Sequence, residues 1–309
     1  MFLKIKVIIF FLLSANFANA TLVDVSKTSI LVKETNPNNP LFLKQAFAQI
    51  IANNSGEPIL DILQNPQINQ SHIKSGVKRS YFEKIENKYL TNKQEDYYWF
   101  HVVMDENYIN QTIKNAGLSL LPHNRQEIVL WAVKEELKPQ EEPRELASDE
   151  IAIPPLIEQS LIQEPLLQYA YDDEVFNYWF DRWAESLGLV FIKPNLDEDD
   201  MLAVTTESIQ NLAFEAHEHT QLKYEKKLSL LLYLKRSEQE LKYRTGTYIE
   251  DEAVSIQHFQ QPDSEEGEII YSVVADMAEK YANTFKVSAY DVESHTVQMV
   301  VNDIDGFDD

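Results

Sequence analysis

The sequence predicts an α+β protein made of two mixed α/β sandwich modules joined by a linker rich in Pro and Glu. Three observations carry this expectation. Segments with a helical i, i+3, i+4 apolar stripe are interspersed with short runs rich in β-branched and aromatic residues, a mixture that fits neither a bundle nor a barrel. The stretch 138–165 concentrates five of the twelve prolines (139, 143, 154, 155, 165) and seven acidic residues, which forces extended backbone and blocks ladder hydrogen bonds. The 309 residues, 44% of them hydrophobic, are enough for two cores at roughly 150 residues per domain. The predicted units are an N-terminal domain at 21–137, the linker or arm at 138–165, a C-terminal domain at 166–302 and an acidic tail at 303–309.

In the first unit, Leu22–Val32 alternates as a first strand. Leu41–Ile51 carries apolar residues at 43, 46, 47, 50 and 51, the stripe of a helix that Ser55-Gly56 would stop. Val77–Tyr89 and Asp96–Met104 read as strands. Asp105 is placed to cap a helix running to Gly117. Ile128–Val133 is an unbroken apolar run suited to a buried strand.

In the second unit, Glu174–Leu187 is helical, with Val175, Trp179, Trp183 and Leu187 on one stripe and Gly188 as the stop. Leu189–Ile192 is a short strand and Glu207–His217 a helix. Leu228–Leu234, Leu241–Ile249 and Val254–Phe259 follow as strands, Glu268–Ala282 as a long helix and Val297–Val301 as a last strand.

Composition excludes whole classes of chemistry. There is no cysteine, so disulfides, thiolate nucleophiles, Cys-ligated zinc and an acylated cysteine anchor are out. Neighbouring glycines stand at least 20 residues apart, too sparse for a glycine-rich phosphate cradle. A net charge of −23 disfavours nucleic acid and anionic lipid surfaces as partners. Met1–Ala20 has the parts of a secretory signal: Lys4 and Lys6, the apolar core Val7–Leu13, and Ala18-Asn19-Ala20 as a cleavage site. Its core is too short to span a bilayer, which takes about 20 residues. A soluble periplasmic protein (or a secreted one) beginning at Thr21 is expected, with no membrane span and no lipid anchor.

Three segments carry a family resemblance. They are Phe42–Leu60 (FLKQAFAQIIANNSGEPIL), Ile109–Val133 (INQTIKNAGLSLLPHNRQEIVLWAV) and Trp183–Ser208 (WAESLGLVFIKPNLDEDDMLAVTTES). Together they resemble the exported proteobacterial proteins grouped as the domain of unknown function 2066. Gln126 stands where that family usually has Pro, and family members continue beyond the equivalent of 297–301 into a further small domain. The resemblance implies an exported α/β protein of Gram-negative bacteria and no particular activity.

Several residue groups are candidates for chemistry or binding. His217-Glu218-His219, with Glu215 and His258 nearby in type, begins like a zincin motif, but Gln221 occupies the place of the second histidine. On a helix His217 and His219 diverge by about 200° and do not chelate together, so they are read as residues of an exposed helix end. The acidic runs Asp172-Asp173-Glu174, Asp197–Asp200 (with Asp197 and Asp199 alternating) and Asp303-Ile304-Asp305-Gly306 supply oxygen ligands of the calcium type. No cofactor is expected. Two Ser-x-x-Lys matches, Ser71–Lys74 and Ser75–Lys78, lack the helix such a serine needs. The aromatic set Phe176–Trp183 reads as core, whereas Tyr97–Phe100 fits either core or an exposed patch, four consecutive aromatics placing two on each face of a strand. As a surface, Trp99 and Trp131 would serve a protein or peptidoglycan partner. Asn124-Arg125 would either clamp an acidic group or tie a turn. The expected function is therefore a non-enzymatic interaction or assembly module of the periplasm, acting on an envelope protein or a peptidoglycan-associated component. The alternatives are a carboxylate- or metal-dependent hydrolase and a carrier of a small ligand.

Overall fold

In a computed structural model describing residues 20–36, 39–66, 68, 73–90, 95–137, 165–236, 240–250, 252–262 and 266–288, helices combine with mixed and antiparallel sheets in an α+β fold. The first sheet has three antiparallel strands in the order β2 (Lys27–Val32), β4 (Tyr98–Met104), β3 (Val77–Lys84). Helices α1 (Pro40–Ser55) and α4 (Glu106–Ala116) share a core with one face of it. Between them in the chain lie the short helices α2 (Ile59–Gln64) and α3 (Ile73–Gly76). Asp105 caps α4 by accepting from Asn107 and Tyr108 N–H, and Gly117 closes it in the left-handed region, as predicted.

The second sheet runs β11 (Glu252–Pro262), β10 (Glu240–Ile249), β9 (Leu228–Arg236), β6 (Ile128–Leu137), β7 (Pro165–Tyr169), with the short β8 (Phe191–Ile192) parallel to the start of β6. Strands β6 and β9 are parallel and buried, and their side-chain parity feeds two cores. Ile128, Leu130 and Ala132 of β6 and Leu228, Leu230, Leu232 and Leu234 of β9 face α5 (Glu174–Ser186) and α9 (Glu266–Phe285). Val129, Trp131, Val133, Leu231 and Tyr233 face the other way, onto α7 (Thr206–Gln210) and α8 (Phe214–Tyr224).

Helix α5 is the common wall of both sheets. Its Trp179 and Trp183 pack in the second sheet's core, and the ring of Trp99, from the first sheet, lies 5.7 and 4.6 Å from theirs. The aromatic run obeys strand alternation: Tyr97 and Trp99 enter this shared core, whereas Tyr98 and Phe100 join the core around α1. Gly267 opens α9 directly under Trp179, where a Cβ would come within 2.5 Å of the indole.

Four expectations change. Leu22–Val32 is not one strand. Asp24 accepts from Ser26 N–H and Oγ in a tight turn, so β1 (Ala20–Leu22) pairs with β5 (Asn124–Gln126) while β2 enters the first sheet. The strand expected at Val77–Tyr89 stops at Lys84, and Asn87–Tyr89 forms a 3-10 turn. The helix expected at Glu207–His217 is two helices, broken where Leu212 adopts φ 54°. The division at 138–165 does not separate two sheets. Strand β6, assigned to the first domain, lies between β9 and β7, and its last residues pair with β7 from Val133↔Tyr169 to Leu137↔Pro165. Hydrophobic burial explains this, because β6 is apolar on both faces and needs helices on both sides. The segment between these strands lies outside the described residues, as do 1–19, Val297–Val301 and 303–309. No helix among the described residues is long and apolar enough to cross a membrane.

Candidate ligand-binding cleft

The C-terminal turn of α1 is buried, which is unusual for a helix end whose last carbonyls lack intrahelical partners. Asn53, Asn54 and Ser55 are all covered, and Gly56 terminates the helix at φ 71° with its N–H on Ala52 O. Side chains satisfy the ends. Asn54 Nδ2 donates to Val25 O and Ile50 O, and Leu121 N–H donates to Asn54 O. Asn53 Nδ2 donates to Ser186 O, the end of α5, which Thr28 Oγ1 also reaches. Two helix C-termini, each carrying a partial negative charge, thus meet in one polar knot.

Arg125 is the cation in that knot. It sits on β5 opposite Thr21 and is 1% exposed. Its Nη2 donates to Asn53 O, and its guanidinium carbon stands 5.7 Å from the centre of the Tyr281 ring. Among the described residues Nε and Nη1 have no hydrogen-bond partner. No carboxylate is paired with it among the described residues. Burial pushes its pKa down to about 10, so the group stays charged at neutral pH. A buried guanidinium with unmade bonds is costly, and such groups call for an explanation.

A cavity of about 270 Å³ abuts this group. Its walls are mostly apolar: Ala52 and Ile59 on the α1–α2 side, Leu189, and Ala275, Ala278 and Ala282 on α9. A second cavity, of about 340 Å³, shares Gln49, Ile59 and Tyr271 with the first and extends along Leu31, Leu63 and Trp183. The two lie side by side in a cleft region between α1–α2 and α9, with Gln49, Ile59 and Tyr271 as their common border. An apolar cleft with one convergent charged group has the makeup of a small-molecule site.

The residues singled out in the sequence lie in different places. Trp99 and Trp131 are fully buried, their indole N–H groups on Tyr178 OH and Thr220 Oγ1, so neither presents a surface to a partner. Asn124 is exposed beside the buried Arg125. His217 and His219 lie on helix α8 as expected, but His217 is buried rather than exposed. It is bonded to Ser229 Oγ and Glu250 O and stacked on Tyr248. His219 reaches Asp200 Oδ1 at 2.9 Å. Asp200 is fully buried and also receives Lys223 Nζ and Tyr224 OH. Burial pushes the Asp200 carboxyl up, but the bonds from Lys223, Tyr224 and His219 outweigh this and hold it below its ordinary value. Asp197 caps helix α6 (Glu198–Ala203) at Asp200 N–H, Asp199 is exposed in its first turn, and Asp173 caps α5. Asp197 thus serves a helix end and His219 an ion pair, His217 is a bonded core residue, and among the described residues no group of three or more His, Asp or Glu is arranged to hold a metal.

One constellation escaped the sequence reading because its members are far apart in the chain. Ser29 Oγ lies 2.7 Å from His101 Nδ1, and His101 Nε2 lies 2.9 Å from Glu83 Oε2 across the first sheet. Arg182 holds the other Glu83 oxygen and Tyr81 stacks on the imidazole. Arg125 itself was singled out in the sequence, but its burial was not legible there, since nothing local distinguishes an inward from an outward arginine. No protein-family model matches this chain, and no curated protein matches it.

Proposed function

We propose that this chain is a non-enzymatic binding protein of the bacterial envelope, of the exported kind that the resemblance to domain of unknown function 2066 implies, and that it binds a small anionic molecule in the cleft between α1–α2 and α9. The observation that carries the reading is Arg125: a buried cation with two unpartnered nitrogens beside an apolar cavity. An anion there makes charge-assisted bonds in a site shielded from water. A small ligand is favoured over a large protein partner because the tryptophans offered for a partner are core residues. Thermal unfolding in acetate, benzoate and phosphate, against matched amines, tests it. At least one anion is expected to raise the melting temperature of the wild type and not of Arg125→Met. Equal responses in both proteins would remove the site.

Export rests on Lys4, Lys6, the Val7–Leu13 core and the Ala18-Asn19-Ala20 site. Processing there leaves Thr21 first, and its register opposite Arg125 survives the cut. Intact-mass measurement of the protein from an envelope fraction should find Thr21 as the first residue. Retained Met1 would contradict this.

A hydrolase reading has its own support in the Ser29–His101–Glu83 line, which resembles a nucleophile–base–acid relay. Glu83 shared with Arg182 is less able to stabilise an imidazolium, which ranks this reading second. A fluorophosphonate probe that labels Ser29, and fails on His101→Gln, would reverse the ranking.

A further inference from the structure

We infer that the ligand of the cleft is a linear aliphatic monocarboxylate, its head on Arg125 and its tail running through the second cavity towards Trp183. The inference rests on the anion-binding reading above and adds the chemical class of the ligand.

The head group follows from the geometry of the guanidinium. Its Nη2 carries two hydrogens, one on each two-donor edge of the planar fork. Asn53 O uses one of them, so one edge, Nη2 with either Nη1 or Nε, stays whole. A planar carboxylate fits such an edge with two parallel bonds, which a single carbonyl or hydroxyl cannot do. Both unpartnered nitrogens are buried, and Arg125 is one of the residues that line the first cavity. A turn of the guanidinium that keeps the Asn53 bond delivers the free edge to the ligand.

The tail follows from the walls. Beyond Arg125 a chain would run past Ile59 and Tyr271, which with Gln49 border both cavities, and along Leu31, Leu63 and Trp183; Gln49 and Ser29 on this course are already bonded, to Asn53 and His101. The ligand bears one charge because carboxylates border the rest of the path. Glu57 and Glu279 line the first cavity and Glu268 the second. A second anionic end would face Glu268 without a partner cation, a repulsion that selects against dicarboxylates.

The experiment is isothermal titration of the intact chain with a series from acetate to dodecanoate, with decanol, decyl phosphate and sebacate as controls. Affinity should rise about fourfold per added methylene until the second cavity is filled, then level off. Decanol and sebacate should bind at least tenfold more weakly than decanoate. Leu63→Trp, which blocks the second cavity, should flatten the chain-length dependence while acetate binding persists. Arg125→Met should abolish binding of all the acids. Arg125-dependent binding that is indifferent to chain length would overturn this inference and leave the anion site standing. Absence of any Arg125-dependent anion binding would overturn both. Tighter binding of decyl phosphate than of decanoate would reassign the head group to a phospholipid-type anion.

Discussion

Two buried cations in this protein are treated in opposite ways. Lys134, on β6, is 5% exposed and stands between two carboxylates. Asp173, the N-cap of α5, bonds it directly, and Glu266, at the start of α9, lies 3.7 Å away. Arg125, on the neighbouring β5, is equally buried but has a carbonyl and a ring face in place of a carboxylate. Lys134 ties three elements of the shared core together, and its charge is compensated by the fold. Among the described residues, the charge on Arg125 meets the partial charge of a helix end and the face of the Tyr281 ring, and no carboxylate. A cation that the fold itself neutralises reads as structure, and one that it leaves short of partners beside a cavity reads as function.

Substitutions can break this contrast. Lys134→Met should have the largest effect. It takes the cation away from half-buried Asp173 and buried Glu266, so a loss of about 3–5 kcal/mol is expected in chemical denaturation. Next comes His217→Ala, which strips partners from Ser229 Oγ and Glu250 O and opens a hole against Tyr248. About 2–3 kcal/mol is expected, well above the effect of His219→Ala at the more exposed position. Arg125→Met should stay within about 1 kcal/mol of the wild type, because losing the bond to Asn53 O is offset by removing a poorly compensated charge. A loss as large as that of Lys134→Met would show that Arg125 is as structural as Lys134.

The smallest effect is in pH dependence, and its sign separates the two cations. Burial pushes the Asp173 carboxyl up, but Lys134 and the Val175 and Phe176 N–H groups hold it below its ordinary value. A carboxylate depressed in the fold contributes stability above its unfolded pKa of about 3.9 and loses it as pH falls through the folded value. Lys134→Met raises the folded pKa of Asp173 and should move the acid-unfolding midpoint to higher pH. Arg125→Met, with no carboxylate partner, should leave that midpoint where it is. A second, milder limb belongs to His101, which burial keeps below its ordinary pKa. Its neutral form is favoured in the fold, so some stability is lost as pH falls below about 6.5. His101→Gln should shrink that limb in a thermal pH series, leaving the share of His123, which burial likewise keeps below its ordinary pKa.

Much of the local structure was legible in the residues. Asp105 before α4, Gly56 and Gly117 after α1 and α4, the α5 stripe and the apolar run of β6 all act within a few residues of where they stand. Short-range sterics, capping bonds and side-chain periodicity suffice to place them. Sequence alone likewise determined that no thiol or glycine-rich chemistry is present, since that depends on which residues exist at all. Tertiary structure decided the rest. That β6 leaves the first unit for the middle of the second sheet depends on covering both its apolar faces, which only distant helices can do. That His217 turns inward while His219 meets Asp200 depends on how α8 docks on β9. Whether Arg125 faces water or the end of α1 was equally undecided in Asn124-Arg125-Gln126, a three-residue strand with no period to read. Its inward course goes with the end of α1, where the carbonyl of Asn53, 72 residues earlier in the chain, takes its bond, while the Asn53 side chain ties in the end of α5. Burial and long-range hydrogen bonding are properties of the assembled layers, and the candidate site is made of little else.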